Sequence, residues 1–146
     1  MNSNFKSNLL VALQFILIGL LLWGTPKYNF SIGAVAFIFM AIFLILWAII
    51  VMRKSKLRIS PIPAADALLI TEGPYKYIRH PMYTAIFMGV TGLLIIYFTW
   101  MRLVMAIALA VVLLIKMSWE EKMLSMKFIT YKNYIAHSKK IIPYLF

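Results

Sequence analysis

Cysteine is absent from this chain of 146 residues, which excludes disulfides, thiolate zinc sites and cysteine nucleophiles. Charge is also scarce, since only 13% of the residues are charged whereas 64% are apolar. A soluble domain typically carries about 25% charged residues. The composition therefore argues against a water-soluble enzyme. It indicates a single membrane domain over residues 1–146, with little chain left for a separate soluble domain.

Acidic residues are rare. Four acids stand against fifteen lysines and arginines, which gives a net charge of +11. No basic domain stands apart from the apolar segments, so the basic residues fit the ends of membrane spans better than a nucleic-acid surface. We therefore expect membrane lipids and no nucleic acid among the partners. The sequence indicates no oligomeric state.

Long apolar stretches predict an all-α, polytopic membrane helical bundle with four transmembrane helices. The stretches cover about residues 9–23, 32–52, 82–100 and 103–119, and about 20 apolar residues cross a hydrocarbon core. Two or three residues around position 101 separate the last two spans, which predicts an antiparallel span 3–span 4 hairpin. The first stretch could instead be a signal peptide, but no small-residue cleavage site follows it.

The basic residues are divided unequally between the two sides of this bundle. Thirteen lie on the side of both termini and of the connector at residues 53–81, and only Lys27 and Arg102 lie on the other side. By the positive-inside rule, both termini are predicted to be cytoplasmic.

An amphipathic pattern follows the fourth span. Lysines occupy much of this segment, and its apolar residues recur at helical spacing: Leu124, Phe128, Tyr131 and Ile135. The pattern predicts a cytoplasmic amphipathic helix over about residues 120–138 that lies on the membrane surface or caps the bundle.

Two polar constellations could carry chemistry. Glu120 and Glu121 are adjacent at the predicted cytoplasmic end of span four, where two like charges are costly unless they function. Arg79, His80 and Pro81 stand at the predicted start of span three, where free backbone N–H groups and an arginine suit a carboxylate. Taken singly, the acids could be a solvated helix end and the arginine a positive-inside anchor. The hairpin, however, brings both groups to one cytoplasmic cleft that suits a zwitterion.

The ordered motifs in this half of the chain resemble a known family. Gly73-Pro74-Tyr75, then Arg79-His80-Pro81-Met82-Tyr83, a helical hairpin and Glu120-Glu121-x-x-Leu124 look like the isoprenylcysteine carboxyl methyltransferase family. Phospholipid N-methyltransferases share much of this pattern. The similarity covers about residues 67–143, which would be the catalytic part. It implies an integral membrane enzyme that uses S-adenosylmethionine and releases S-adenosylhomocysteine.

The resemblance also implies roles for individual residues. The residues implied to bind the cofactor are Ala67, Leu68, Leu69, Ile70, Tyr75, His80, Pro81, Met82, Tyr83 and Glu120. The residues implied to act in catalysis are Arg79, Lys116 and Glu121, and no metal is expected. Lys116 stands where the family usually has an arginine that faces the methyl acceptor. The positive charge is therefore kept, but the planar guanidinium with its paired donors is lost. Two further departures are Ala85, where glycine is common, and Phe128-Ile129, where the family usually has Phe-Gly.

The methyl acceptor is expected to be lipophilic, and its chemistry stays open between two possibilities. A carboxylate acceptor needs a cation to hold it, which Lys116 or Arg79 could supply, as in a carboxyl O-methyltransferase. An amine acceptor must be neutral to attack, so a phospholipid N-methyltransferase would need a base such as Glu121 or His80. A membrane sterol reductase and a non-catalytic relative of the family are the remaining alternatives.

Overall fold

The computed structural model describes residues 3–24, 31–55 and 68–142, and within these ranges it contains helices and no strand. The five α-helices are α1 (Ser3–Leu22), α2 (Ile32–Met52), α3 (Pro81–Ile96), α4 (Trp100–Lys127) and α5 (Tyr131–His137). Short 3₁₀ turns lie at Arg53–Ser55 and Gly73–Lys76. The predicted all-α class is confirmed.

Three of these helices, α1, α2 and α4, are long and apolar enough to cross a membrane. Helix α3 is apolar but has only 16 residues, because it begins at Pro81 and the chain leaves the helix at Tyr97. The prediction of a span over residues 82–100 counted four residues that lie in or beyond that turn. Three membrane-capable helices make this a membrane protein, and the fourth span stays a prediction.

The turn between α3 and α4 lies at residues 97–99, earlier than the predicted position near residue 101. Thr99 ends the turn, since its hydroxyl accepts a hydrogen bond of 3.2 Å from the backbone N–H of Arg102 and so caps α4. Arg102 therefore lies in the first turn of α4 and not in a connector. The apolar pattern missed this start because Trp100 and Met101 fit the end of one span as well as the start of another.

The predicted helix over residues 120–138 is wrong in its bounds. Helix α4 continues through Glu120 to Lys127 without a break, and α5 begins only at Tyr131. Phe128 closes α4 with extended backbone angles, φ −116° and ψ 114°. Leu124 and Tyr131 therefore do not share one helical face, although their spacing alone fits one.

The helices pack mainly in two pairs, α1 with α4 and α2 with α3. The second pair is close because small residues of α2 recur every seven positions and are buried: Ala34, Ala41 and Ala48. On α3, a Cβ at Gly92 would come within 2.8 Å of Ile38 Cγ1 and within 3.2 Å of the Ala34 carbonyl oxygen. Small residues let helix backbones approach in this way in membranes. Direct contacts between α3 and α4 place the start of α3 beside the later turns of α4.

Candidate active site

A short C-terminal segment holds the start of α3. The backbone N–H of Arg79 donates to the Lys139 carbonyl over 2.7 Å, and the N–H of His80 donates to the Lys140 carbonyl over 3.1 Å. We call residues 138–142 the C-terminal strap. Its bonds run between backbone atoms, so they fix the two motif residues whatever side chains the strap carries.

The Arg79 guanidinium joins this strap to α4. Its Nε donates to Oε1 of Glu121 over 2.8 Å, and its Nη1 donates to the carbonyls of Ser138 and, over 3.4 Å, of Ile135. Lys140 Nζ lies 3.2 Å from Oε2 of the same Glu121. Arg79 thus holds Glu121 and the strap together, and its predicted role toward a ligand stays a prediction.

His80 lies between both acids of α4. Its Nδ1 is 3.4 Å from Oε2 of Glu120, and its Nε2 is 3.5 Å from Oε1 of Glu121, although the latter contact lacks hydrogen-bond geometry. The ring stacks on Tyr83 with 5.5 Å between centroids. Burial lowers the pKa of His80, but the nearby carboxylates of Glu120 and Glu121 outweigh burial and leave this pKa above its usual value. The pair of acids therefore favours the protonated imidazole.

Tyr83 links this cluster to the interior of the bundle. Its hydroxyl donates to Oε1 of Glu120 over 2.5 Å, and the ammonium of Lys116 lies 5.4 Å from the centroid of its ring. Lys116 is only 1% exposed, and its Nζ donates to Oε1 of Gln14 over 2.6 Å. Lys116 therefore points into the bundle and does not reach out to lipid headgroups.

These contacts bring Arg79, His80, Tyr83 and Glu120 together, whereas a shared cavity on the cytoplasmic side stays a prediction. The hairpin brings the start of α3 to the Glu120-Glu121 turn of α4, as the sequence indicated. Lys116 lies one helical turn before Glu120 and joins the same group. The roles of these residues toward a cofactor or an acceptor stay predictions.

The segment before the Gly-Pro turn is tied to the end of α2. The Leu68 N–H donates to Ser55 Oγ over 2.9 Å, and the Ser55 hydroxyl donates to the Leu68 carbonyl. Leu69 and Ile70 follow and are half-buried. Ala67, the first residue of the predicted cofactor segment, lies outside the described residues.

The remaining predicted cofactor residues lie at the Gly-Pro turn and at the start of α3. Tyr75 and Pro81 are buried, and Met82 is half-buried. Tyr75 lies under α5, because the Tyr134 hydroxyl donates to the Tyr75 carbonyl over 2.7 Å.

Three buried polar atoms around this cluster make no hydrogen bond within the described residues 3–24, 31–55 and 68–142, namely the hydroxyls of Tyr75 and Tyr131 and Nε2 of His80. Buried polar atoms are normally satisfied, so such atoms need a reason. Burial raises the pKa of both tyrosines, which therefore stay protonated and able to donate. Three such atoms beside two carboxylates fit a ligand that carries both donors and acceptors. Within residues 3–24, 31–55 and 68–142, no group of three or more His, Asp or Glu side chains is placed to hold a metal ion.

Two contributors to the cluster were missed at the level of sequence. Gln14 gave a signal, since it is the one polar side chain in the apolar stretch of residues 9–23. The C-terminal strap gave no signal in the sequence, because it acts through backbone atoms, which a pattern of side chains does not reveal.

Membrane-capable helices around a buried cluster of opposite charges define a membrane protein with a polar site. Residues 28–130 match the family model described as phospholipid methyltransferase, which covers more than half of the chain. The protein therefore belongs to the phospholipid methyltransferase family, and the predicted kinship with membrane methyltransferases is confirmed. No curated protein and no solved structure matched the chain.

Proposed function

We propose that the protein is an S-adenosylmethionine-dependent methyltransferase whose acceptor is a lipophilic molecule of the membrane. The observation that carries this proposal is the cluster around Glu120, where two carboxylates, a histidine and unsatisfied tyrosine hydroxyls meet at the start of α3. The carboxylates, the histidine and Tyr75 lie within residues 28–130, the region that matches the family, and Tyr131 follows it directly.

The residues of this cluster fit a cofactor that is itself a zwitterion with a ribose. Glu120 would accept hydrogen bonds from its ammonium or hydroxyl groups, and the positive end of the α3 dipole would suit its carboxylate. The Tyr75 and Tyr131 hydroxyls would find partners there. When bound, S-adenosylmethionine supplies a methyl group already activated by its positive sulfur.

Because the donor is already activated, the protein mainly has to align the acceptor with the methyl group and hold both in place. The methyl–sulfur bond breaks as the bond from methyl to the acceptor oxygen or nitrogen forms. Arg79 and the C-terminal strap hold Glu121 and His80 rigid on one side of the cluster. The apolar outer faces of the bundle would let a lipophilic acceptor approach sideways from the bilayer.

Each candidate acceptor class has one observation in its favour. A carboxylate acceptor, as in isoprenylcysteine methylation, is favoured by the buried ammonium of Lys116 beside Tyr83. An amine acceptor, as in phospholipid N-methylation, is favoured by the two carboxylates beside His80, since a carboxylate can take the proton that the amine must lose.

The test is methyl transfer from labelled S-adenosylmethionine to lipids of the host membrane by the purified protein. Base treatment releases methanol from a methyl ester and leaves an N-methyl group in place, which separates the two acceptor classes. S-Adenosylhomocysteine should raise the thermal midpoint, whereas NADPH should not. A protein that binds neither S-adenosylmethionine nor its product would refute the proposal, and stabilisation by NADPH alone would favour a reductase.

We further propose that both termini and the site face the cytoplasm. The native chain has no cysteine, so single cysteines report sidedness directly. Lys132→Cys on α5 should react with an impermeant maleimide only from the cytoplasmic side, and Trp100→Cys at the start of α4 only from the other. The reverse pattern would refute this orientation.

A further inference from the structure

Helix α1 contributes a buried polar contact to the bundle. Gln14 is 5% exposed and Lys116 is 1% exposed, and 2.6 Å separate the acceptor Oε1 of Gln14 from the donor Nζ of Lys116. Gln14 lies before residue 28, outside the region that matches the family. The contact therefore comes from a part of this chain to which the family match assigns nothing.

This contact continues into the proposed active site. The Lys116 ammonium lies 5.4 Å from the centre of the Tyr83 ring, and the Tyr83 hydroxyl donates to Glu120 over 2.5 Å. The glutamine is thus three contacts from the carboxylate proposed to bind the cofactor. A glutamine that served only in helix packing would not need to lie this close to the proposed active site.

The chemistry of the two side chains explains why the partner is an amide. A lysine has four flexible carbons, so an ammonium that must sit at one point needs an acceptor to hold it. An amide oxygen does so without cancelling the positive charge, whereas a carboxylate at the same place would neutralise the ammonium. The amide NH₂ of Gln14 also remains a donor. The arrangement keeps a fixed cation in a low-dielectric interior, where an anion is attracted strongly.

We propose that Gln14 is a positioning residue that holds the Lys116 ammonium beside Tyr83, where the ammonium binds the anionic group of the methyl acceptor. This inference rests on the proposed function and deepens it. The anionic group can be a carboxylate or a phosphodiester, since both present charged oxygens to a lysine. The competing explanation is that Gln14 and Lys116 are only a polar pair that joins α1 to α4.

Two substitutions of Gln14 separate these explanations. Gln14→Glu keeps the shape and gives Lys116 a stronger partner, so a purely structural pair would keep its stability and its activity. Gln14→Met removes the acceptor and leaves the charge in place. A positioning role instead predicts a larger loss of acceptor binding for Gln14→Glu than for Gln14→Met, despite an undiminished thermal midpoint.

The acceptor probes are dioleoylphosphatidylethanolamine, which has a phosphodiester, farnesylated N-acetylcysteine, which has a carboxylate, and oleylamine, which has no anion. All are presented in the same detergent micelles. For whichever anionic probe the wild type methylates, Gln14→Glu should raise KM by about 30-fold or more, as for loss of a buried charge contact. KM for oleylamine and the affinity for S-adenosylhomocysteine should not change. An unchanged KM for the anionic probe would overturn the inference.

Ser118→Glu is the matched control. It adds the same charge two residues from Lys116, but Ser118 is exposed on the outer side of α4. This variant should keep the wild-type KM for each probe. An equal rise in KM for Ser118→Glu and Gln14→Glu would show a general effect of added charge and would also overturn the inference.

Lys116 variants complete the design. Lys116→Met should keep cofactor binding but lose turnover, and Lys116→Arg should retain much of it. In the Lys116→Met background, Gln14→Glu should have no further effect on thermal stabilisation by the anionic probes, because the charge that it neutralises has gone. Wild-type turnover by Lys116→Met would remove both residues from the site.

Failure of the proposed function would look different. A wild type that binds no S-adenosylhomocysteine and methylates no probe would refute the methyltransferase assignment. The inference would then be decided by thermal stabilisation with the two anionic probes. It predicts stabilisation of the wild type but not of Gln14→Glu, and absence of stabilisation in the wild type would overturn it.

Discussion

The two ends of α4 each bury charge, but they do so differently. At the first turn, Arg102 is 6% exposed, donates to the carbonyl of Trp23 over 2.7 Å and lies 4.8 Å from the Tyr97 ring centroid. At the other end, Glu120 and Glu121 meet cations from α3 and from the C-terminal strap. The arginine thus contacts a backbone carbonyl and an aromatic face, whereas the acids lie within a network of opposite charges.

The difference shows what marks a site in this bundle. Trp23 follows the last turn of α1, where carbonyls lack helical partners, so Arg102 closes the end of a helix and offsets its dipole. That is a stabilising task. At the acidic end, charges from several elements converge and three buried polar atoms stay unsatisfied. Burial of a charge alone does not indicate function, but convergence with unsatisfied partners does.

Glu120→Ala should give the largest effect at the acidic end. Loss of the half-buried carboxylate proposed to contact the cofactor should weaken S-adenosylhomocysteine binding by about 100-fold or more. The protein should still insert and fold, because removal of a charge near the membrane boundary does not oppose insertion. Isothermal titration in detergent measures the affinity, and circular dichroism checks the fold. Wild-type affinity in a well-folded Glu120→Ala protein would contradict the assignment.

Arg79→Gln should come next, with its main effect on stability. The side chains of Arg79 and Glu121 are 8% and 15% exposed. The expected loss is about 3 kcal/mol, the low end for breaking a buried ion pair, because Lys140 stays beside Glu121. In limited proteolysis, the C-terminal strap of Arg79→Gln should also be cut more readily than that of the wild type. Lys132→Gln removes an exposed charge from α5 and serves as the control. Equal thermal midpoints for Arg79→Gln and Lys132→Gln would show that Arg79 does not hold the strap.

The sequence predicted the acidic end better than the fold around it. Arg79, His80, Glu120 and Glu121 were found because rare charges in an apolar chain stand out and the hairpin fixes which ones meet. The predicted end of α3 and the predicted start of α4 were wrong because the mainly apolar and aromatic residues at positions 97–101 suit a helix and a turn equally. The break after Lys127 was missed because helical spacing survives a three-residue interruption. The contribution of the strap depends on backbone bonds that composition does not encode.

His80 should make stability depend on pH. Its folded pKa is raised, so the attraction to the two acids is fully present below about pH 6.5, the ordinary histidine value. The attraction should be lost as the pH rises through the higher folded pKa. Stability is therefore expected to fall between pH 6 and pH 9. Thermal midpoints across this range measure it, with His80→Gln as the control. A wild-type decline no steeper than that of His80→Gln would contradict the protonated pair.

Arg102→Met should have the smallest effect and tests the other end of α4. The substitution keeps an unbranched apolar stem but loses the bond to the Trp23 carbonyl and the contact with the Tyr97 ring. The expected cost is about 1 kcal/mol of stability, the usual net worth of one hydrogen bond, because an arginine in an apolar bundle also bears a desolvation cost. Affinity for S-adenosylhomocysteine should match the wild type, since Arg102 lies at the opposite end of α4 from Glu120. The thermal midpoint and the titration used for Glu120→Ala measure both quantities in one preparation. If Arg102→Met weakened cofactor binding as Glu120→Ala does, the two ends of α4 would be coupled, and the division into a stabilising end and a functional end would fail.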